Sequence, residues 1–282
     1  MTQLSIAQCL KLTEEIASVS DTARLDIELL LTHLLQKNRT WLFTWSDHLL
    51  TTEQTKQFQE LLSRRKKGEP IAHIIGQREF WSLSFDVNDS TLIPRPDTEL
   101  LVEAVLELFS GDQSDHSRRC LDLGTGIGAI ALALASEKKS WNVLGVDQSP
   151  AAIDLAETNR HKFQLKNVEL KISNWFANIN NQQFDVIVSN PPYIDPLDSH
   201  LTQGDIRFEP LTALVSDEKG LADIKHIIHH AKKYLISSGW LVLEHGYDQA
   251  EAVKKLLIEN GYFNIQTRKD YGGNDRVTFA KI

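Results

Sequence analysis

The sequence predicts an α/β fold: a parallel sheet with helices on both faces and an antiparallel last strand, preceded by a small helical domain and a β-hairpin. Three observations carry that prediction. From Pro94 onward, short apolar runs alternate with helix-length amphipathic segments, the pattern of strands joined by crossover helices. Over residues 1–73, apolar residues recur at helical spacing with no strand alternation. Between them, Phe80, Leu83, Phe85 and Val87 are separated by polar positions and followed by Asn88-Asp89-Ser90, a hairpin signal. The expected domains are therefore 1–73 (helical), 74–94 (hairpin linker) and 95–282 (α/β).

Taken in order, Leu25, Leu29 and Leu30 share one predicted helical face, and Phe58, Leu61 and Leu62 another, with helix starts at Ser20-Asp21 and Thr51-Thr52-Glu53. The Arg64-Arg65-Lys66-Lys67 run before Gly68 reads as a solvated helix end favoured by the dipole, with contact to an RNA-bearing partner as the alternative. Trp41, Phe43 and Trp45 read as core of this bundle, with a partner surface as the alternative. In the second part a helix is expected over 98–109, then strand 119–123 and helix 129–136. Strand 141–146 and helix 150–162 follow, then strands 168–172 and 184–189. Helix 221–235 leads to strand 239–244, and helix 250–260 precedes runs 264–269 and 276–280. The short Tyr271–Asp275 connection between those last runs permits only an antiparallel pair.

Composition narrows the function classes. With 30 Lys and Arg against 38 Asp and Glu, the net charge is −8, which argues against binding nucleic acid by charge alone. Residues 1–73 are balanced, nine Lys or Arg against nine Asp or Glu, so the excess negative charge lies in the second part. Cys9 and Cys120 are far apart and form no CxxC, so neither a disulfide framework nor a cysteine-rich metal site is indicated. His226, His229 and His230 lie at helical spacing without a carboxylate pair and indicate no metal site. Met1–Ser5 lacks the basic and apolar regions of a leader. No apolar run approaches the roughly 20 residues needed to cross a bilayer. The expectation is a cytoplasmic protein.

The first strand runs into Asp122-Leu123-Gly124-Thr125-Gly126-Ile127-Gly128-Ala129. Its glycines allow a tight turn and close backbone approach to a ligand, and the following helix presents free N–H groups. Asp147 ends the next strand, where an acidic residue can accept both hydroxyls of a ribose. Two cofactors fit. Gly124, Gly126 and Ala129 also satisfy a loose dinucleotide fingerprint. Asp122 favours the alternative, because a carboxylate sits badly beside a pyrophosphate but suits the ammonium of S-adenosyl-L-methionine.

Strand 184–189 ends in Ser189-Asn190-Pro191-Pro192-Tyr193, and ligands of such sheets gather at strand C-termini. Two prolines remove two backbone donors and hold the chain extended. The Asn190 side-chain oxygen and the Pro191 carbonyl can then each accept one hydrogen of a planar NH2, with the Tyr193 ring beside it. An amide or exocyclic amine has a delocalised lone pair, and fixed acceptors stabilise the positive charge that develops on its nitrogen.

The combination of Ile93-Pro94-Arg95-Pro96-Asp97-Thr98-Glu99, the Asp122–Gly128 loop, Asn190–Tyr193 and Arg207-Phe208-Glu209-Pro210 resembles the PrmC (HemK) family, peptide chain release factor N5-glutamine methyltransferases, over essentially the whole chain. The resemblance implies a Rossmann-like class I methyltransferase sheet, S-adenosyl-L-methionine as methyl donor and S-adenosyl-L-homocysteine as product. It implies a class-1 release factor as partner, methylated at the glutamine of a Gly-Gly-Gln tripeptide and recognised in part by the helical N-terminal domain. Carried over by position, Gly124, Thr125, Gly126, Ile127, Gly128 and Asp147 would hold the cofactor, with Trp175 flanking its adenine and Asn190 facing both ligands. Asn190, Pro191, Pro192 and Tyr193 would receive the glutamine, with Asn190, Pro191 and Tyr193 catalytic and no metal required. Arg95 and Glu209 would support the pocket or simply pair. The residue before the tryptophan is often Asp in that family; here it is Asn174. Asn-Pro-Pro-Tyr is shared with adenine N6-methyltransferases, which the acidic charge and the lack of a basic stripe disfavour. A cofactor-binding module without catalysis leaves the strand-end motif unused, and a dehydrogenase leaves both it and Asp122 unexplained.

Overall fold

A computed structural model of the chain describes residues 3–111, 116–180 and 182–282; the first two residues of the leader reading lie outside these. The chain divides into two compact units, one comprising residues up to Gln77 with Ser199–Phe208, the other Arg78–Asp198 with Glu209–Ile282.

The first unit holds helices α1 (Ile6–Leu10), α2 (Ala23–Leu35), α3 (Arg39–Thr44), α4 (Thr52–Lys66) and α5 (Ile71–Ile75). Two capping boxes start helices: Ser5 with Gln8, and Thr51 with Gln54. In each, side chain and backbone satisfy one another's orphan groups. The apolar centre gathers Ile6, Cys9, Ile27, Leu30, Leu31, Leu42, Phe58 and Leu62.

Several expectations change here. Helix α2 buries Ile27, Leu30 and Leu31 together with Asp26 and Glu28, while Leu25 is exposed. Spacing alone chose the wrong edge of the face because the two acids are paired inside. Glu28 accepts from Arg24 and Arg39. Arg65 is not a solvated helix-end cation: it is buried and donates to Asp26 at 2.7 Å, to Asp205 at 3.0 Å and to the carbonyls of Val19 and Glu69. Phe43 and Trp45 are more than half exposed, and only Trp41 packs on the core. Ser199–Phe208, expected with the α/β domain, belongs to this unit; its Asp205 answers the buried Arg65.

The hairpin of β1 (Gln77–Phe80) and β2 (Leu83–Asp86), all but its first residue in the second unit, is followed there by α6 (Glu99–Leu108). Its sheet comprises β3 (Arg119–Leu123), β4 (Asn142–Asp147), β5 (Val168–Ile172), β6 (Phe184–Ser189), β7 (Leu235–Glu244), β8 (Phe263–Lys269) and β9 (Asp275–Lys281). The covering helices are α7 (Ala129–Glu137), α8 (Pro150–Lys162), α10 (Ala222–Ala231) and α11 (Ala250–Glu259), with a single irregular turn, α9, at Asp217–Gly220. Strand order is β5-β4-β3-β6-β7-β9-β8. The first five of these strands run parallel, and β9 inserts antiparallel between β7 and β8. This is the expected Rossmann-like sheet with its antiparallel last strand.

The hairpin, read from sequence as a linker, packs on α8. Phe85 meets Phe163 edge to face at 5.0 Å, and the Asn159 side chain exchanges hydrogen bonds with the backbone of Asp86. The same Asn159 amide donates to Ile127 O at 3.2 Å, so a buried asparagine on α8 steadies the glycine loop. Strand β7 begins at Leu235, earlier than expected, and α10 ends at Ala231. Tyr234 leaves the helical pattern to stack on Phe176. Among the described residues no helix is long and apolar enough to cross a membrane.

Candidate active site

Strands β3 and β6 lie side by side, with Leu123 in register with Ser189. The glycine loop and the Asn190-Pro-Pro-Tyr193 segment therefore leave the same end of the sheet together, at the point where strand order reverses. The Ser189 hydroxyl ties them by donating to Leu123 O at 2.7 Å. A cleft opens here, about 760 Å³ of empty space together with the solvent at its mouth, lined by Gly124, Gly126, Asp147, Asn174, Trp175, Asn190 and Pro192. The Ser90–Leu92 and Pro210–Ala213 segments contribute to its wall.

The glycine loop is fixed from below. Gly124 and Thr125 both donate to Val146 O at 2.9 Å. Gly124 has φ +71°, a left-handed conformation that glycine adopts without strain, and its α-carbon faces the Trp175 ring, where even a Cβ would make only ordinary contact at 3.5 Å. Trp175 itself is held at φ +47°, an uncommon conformation for a large side chain. The Ser173 hydroxyl secures it, donating to Trp175 O and accepting from Asn178 N. Of the other predicted cofactor residues, Thr125, Ile127 and Gly128 are buried behind the loop. The Thr125 hydroxyl donates to Asp122.

Two carboxylates sit below this loop. Asp147 accepts from Gly126 N at 3.0 Å and from Ser149 N at 2.9 Å, and burial raises its pKa against those backbone hydrogen bonds. Asp122 is fully buried. Its Oδ2 accepts from Thr125 and from Ala131 N, while its Oδ1 has no partner. Burial pushes it up to about 7, the Thr125 and Ala131 hydrogen bonds pull it down, and the nearby Asp147 charge adds to the rise. A buried acceptor left bare favours a cationic donor.

At the reaction end, the Asn190 side-chain nitrogen donates to the Thr98 hydroxyl oxygen at 3.2 Å. Pro191 is buried and Pro192 lines the cavity. The Tyr193 hydroxyl donates to Glu244 Oε1 at 3.2 Å, and burial raises the phenol pKa. The backbone of Tyr193 is clamped: its carbonyl accepts from Gln249 Nε2 at 3.0 Å, and a Cβ on Gly220 would come within 2.0 Å of that oxygen. Only glycine fits there. Arg95 reaches both carboxylate oxygens of the buried Glu209 at 2.8 Å, joining two segments that sequence separates by more than a hundred positions. Thr98, Glu244, Gln249 and Gly220 had no role in the sequence reading. Nothing in the local pattern of the last three marks them, since each acts on a residue distant along the chain; Thr98 lies in the Ile93–Glu99 motif, but its contact with Asn190 is 92 positions away. Among the described residues no group of three or more His, Cys, Asp or Glu is arranged to hold a metal ion.

Residues 9–76 match the PrmC N-terminal domain and residues 96–206 the methyltransferase small domain. A release factor glutamine methyltransferase of Shewanella oneidensis is 50% identical over 267 residues, 95% of this chain and 92% of that protein. One from Escherichia coli K12 is 50% identical over 262 residues, 93% of each. Among solved structures, the 16S rRNA N2 G1207 methyltransferase of T. thermophilus, in complex with AdoMet and guanosine, superposes with a TM-score of 0.52 at 22% identity. That match covers 73% of this chain and 49% of the other, and it speaks to the fold alone. Half-identical to such relatives along nearly its whole length, this chain belongs to the release factor glutamine methyltransferase family.

Proposed function

We propose that the protein transfers a methyl group from S-adenosyl-L-methionine to the side-chain amide nitrogen of the glutamine in the Gly-Gly-Gln tripeptide of class-1 release factors. The observation that carries this reading is the pairing, on adjacent strands, of the Asn190-Pro-Pro-Tyr193 strand end, whose two prolines carry no N–H, with a glycine loop over the bare carboxylate oxygen of Asp122. A cationic cofactor and a planar amide are the two ligands those groups suit.

The residues present fit that cofactor. Asp122, through its unpartnered oxygen, and Asp147 supply negative charge for the ammonium and the ribose, Gly124–Gly128 the close backbone, and Trp175 an aromatic wall. When bound, the cofactor supplies an electrophilic methyl on a sulfonium and leaves as S-adenosyl-L-homocysteine. The chain's part is alignment and charge stabilisation. Asn190 Oδ1 and the Pro191 carbonyl hold the two amide hydrogens in the plane. That leaves the face of the nitrogen open and favours its positive charge; the acidified proton then passes to solvent. No covalent nucleophile or metal takes part. The helical unit is a surface for the release factor outside its glutamine loop. No stable nucleic-acid complex is expected, and a cytoplasmic location accords with a translation-factor substrate. The test is transfer from labelled cofactor to purified release factor, beside DNA and tRNA, with mass mapping of the product. Label on nucleic acid but not on glutamine would reject the reading.

The cofactor end makes its own prediction. An ionised Asp122 attracts the ammonium and a protonated one does not. With a pKa of about 7, cofactor affinity is expected to weaken about tenfold from pH 8 to pH 6. In the free protein the sign is opposite. The folded state holds the Asp122 proton more tightly than the unfolded chain, whose pKa is near 3.8, so this group's contribution to stability falls as pH rises from about 4 to 7. Asp122→Asn should flatten the affinity profile while raising Tm at pH 8 without cofactor. Calorimetry at both pH values measures the first effect. A wild-type affinity independent of pH removes Asp122 from the ammonium site.

A further inference from the structure

Strand β6 is tied to its neighbours as far as Ser189, in register with Leu123 and Leu243. Beyond it, Pro191 and Pro192 have no N–H to donate. A stretch without donors is held only through its carbonyls and side chains. It is also stiff, because the rings fix φ at both prolines and a residue followed by proline is kept extended. A displacement at Tyr193 therefore passes back to the Pro191 carbonyl instead of being absorbed on the way.

Gln249, the residue before α11, stands against Tyr193 and is only 8% exposed. Its Oε1 accepts from Gly246 N at 2.8 Å, and its Nε2 donates to Tyr193 O at 3.0 Å and to Lys219 O at 3.2 Å. A backbone N–H only donates and a backbone carbonyl only accepts, so all three contacts require the same orientation of this amide. Gln249 N also donates to Gly246 O at 3.0 Å, which closes the turn that carries the side chain. On the other side, Glu218, Lys219 and Gly220 have φ of 53°, 59° and 80°, a conformation uncommon for residues that bear side chains. That bend presents Lys219 O to the amide. Gly220 leaves the space free, since a Cβ there would lie 2.0 Å from Tyr193 O and 2.8 Å from Gln249 Nε2.

We propose that Gln249 is a positioning residue for the reaction: with its oxygen anchored on Gly246 N, its amide nitrogen pins the Tyr193 carbonyl and so sets where the Pro191 carbonyl meets the substrate amide. Through the same nitrogen, Gln249 fastens the Glu218–Gly220 bend to the end of the Asn190–Tyr193 segment. The next residue is held as well, with Ile194 N donating to Leu214 O at 2.9 Å and Ser216 N to Ile194 O at 3.0 Å. Gln249 lines no part of the cleft, so it acts on the chemistry only through the segment it holds.

The inference rests on the glutamine-amide reading of the site, and the experiment separates the two. Full-length wild type, Gln249→Met and Gln249→Glu are compared for kcat and KM with release factor at saturating cofactor, for cofactor affinity and for Tm, at pH 8.5 and pH 6. Met fills the same space but makes none of the three hydrogen bonds. It is expected to lose about tenfold in kcat, the scale of one net hydrogen bond, with KM and cofactor affinity within about twofold of wild type. Glu has the shape of Gln and still accepts from Gly246 N, but when ionised it sets an oxygen against two carbonyls. Gln249→Glu should lose at least tenfold in kcat at pH 8.5. At pH 6 its carboxyl, its pKa raised by burial, regains a proton to donate, and kcat should recover to within about threefold of wild type. Each value is divided by that of wild type at the same pH, since Asp122 and His245 titrate in both proteins. The isosteric Glu variant tests the inference even if the methionine variant fails to fold. Failure of the wild type to methylate glutamine overturns the reading of the site. With a methylating wild type, unchanged kcat in Gln249→Met overturns this inference alone, as does a Gln249→Glu deficit that is the same at both pH values or confined to KM.

Discussion

Asn190→Ala is expected to lower single-turnover methylation of release factor by about 10²–10³, the usual loss for one preorganised group facing developing charge. In the proposed mechanism its side-chain oxygen is one of two acceptors for the amide hydrogens, and the Pro191 carbonyl alone would not hold both. Cofactor affinity should change much less, because Gly124, Gly126, Asp147 and Trp175 line the cavity independently of it. Asn190→Asp is the more searching substitution. It keeps an acceptor and adds a charge that favours a cationic nitrogen, yet it places a carboxylate beside the Pro191 carbonyl at a desolvation cost. It also removes the NH2 that Thr98 accepts from. Partial activity is therefore expected. Rate and cofactor binding are measured on the same samples; a wild-type rate in Asn190→Ala would reduce Asn190 to a structural end of β6.

Arg65→Met should destabilise the helical unit by about 3–5 kcal/mol, because it leaves a buried carboxylate uncompensated. The Arg65 and Asp26 side chains are 5% and 6% exposed, and no other ion pair serves Asp26 among the described residues. The same change strips donors from Val19 O and Glu69 O and from Asp205. The Ser199–Phe208 segment should loosen with it and become the preferred site of proteolysis. Replacing both partners, Arg65→Met with Asp26→Leu, should recover most of the loss, since an apolar pair of similar volume avoids the desolvation that the ion pair has to offset. Urea denaturation of the three proteins measures this. A single-variant loss below 1 kcal/mol would mean that water reaches Asp26.

Arg65 also shows where reading along the chain stops. In sequence it is one of four consecutive cations before a glycine, and charge at a helix end has a sufficient local explanation in the dipole. Its burial depends on Asp26, 39 positions away, and Asp205, 140 positions away, and no local pattern encodes either. The exposure of Phe43 and Trp45 was hidden for the same reason: aromatic character predicts a contact without saying whether the chain itself supplies it.

What the sequence determined by itself is what depends on short range and on residue type. The helix start at Thr51 follows from capping, and the strands from apolar runs such as Phe184–Ser189. The two loops over the site follow from backbone chemistry: glycines that permit the turn at 124–128, and prolines that strip donors at 191 and 192. Strand alternation then required both loops to emerge at the same end of a parallel sheet, so the place of the cavity was legible before any coordinate, while the Ser90–Leu92 and Pro210–Ala213 parts of its wall were not. Only the tertiary structure decided how the site is held. Asn159 steadies the glycine loop, Arg95 spans to Glu209, and Gly220 and Gln249 clamp Tyr193. Thr98 and Glu244 hold Asn190 and Tyr193. Each of these joins residues brought together by strand order, and a hydrogen bond works only within about an ångström of its ideal length. Such a distance is set by the packing of the whole unit, and no single segment of the chain carries it.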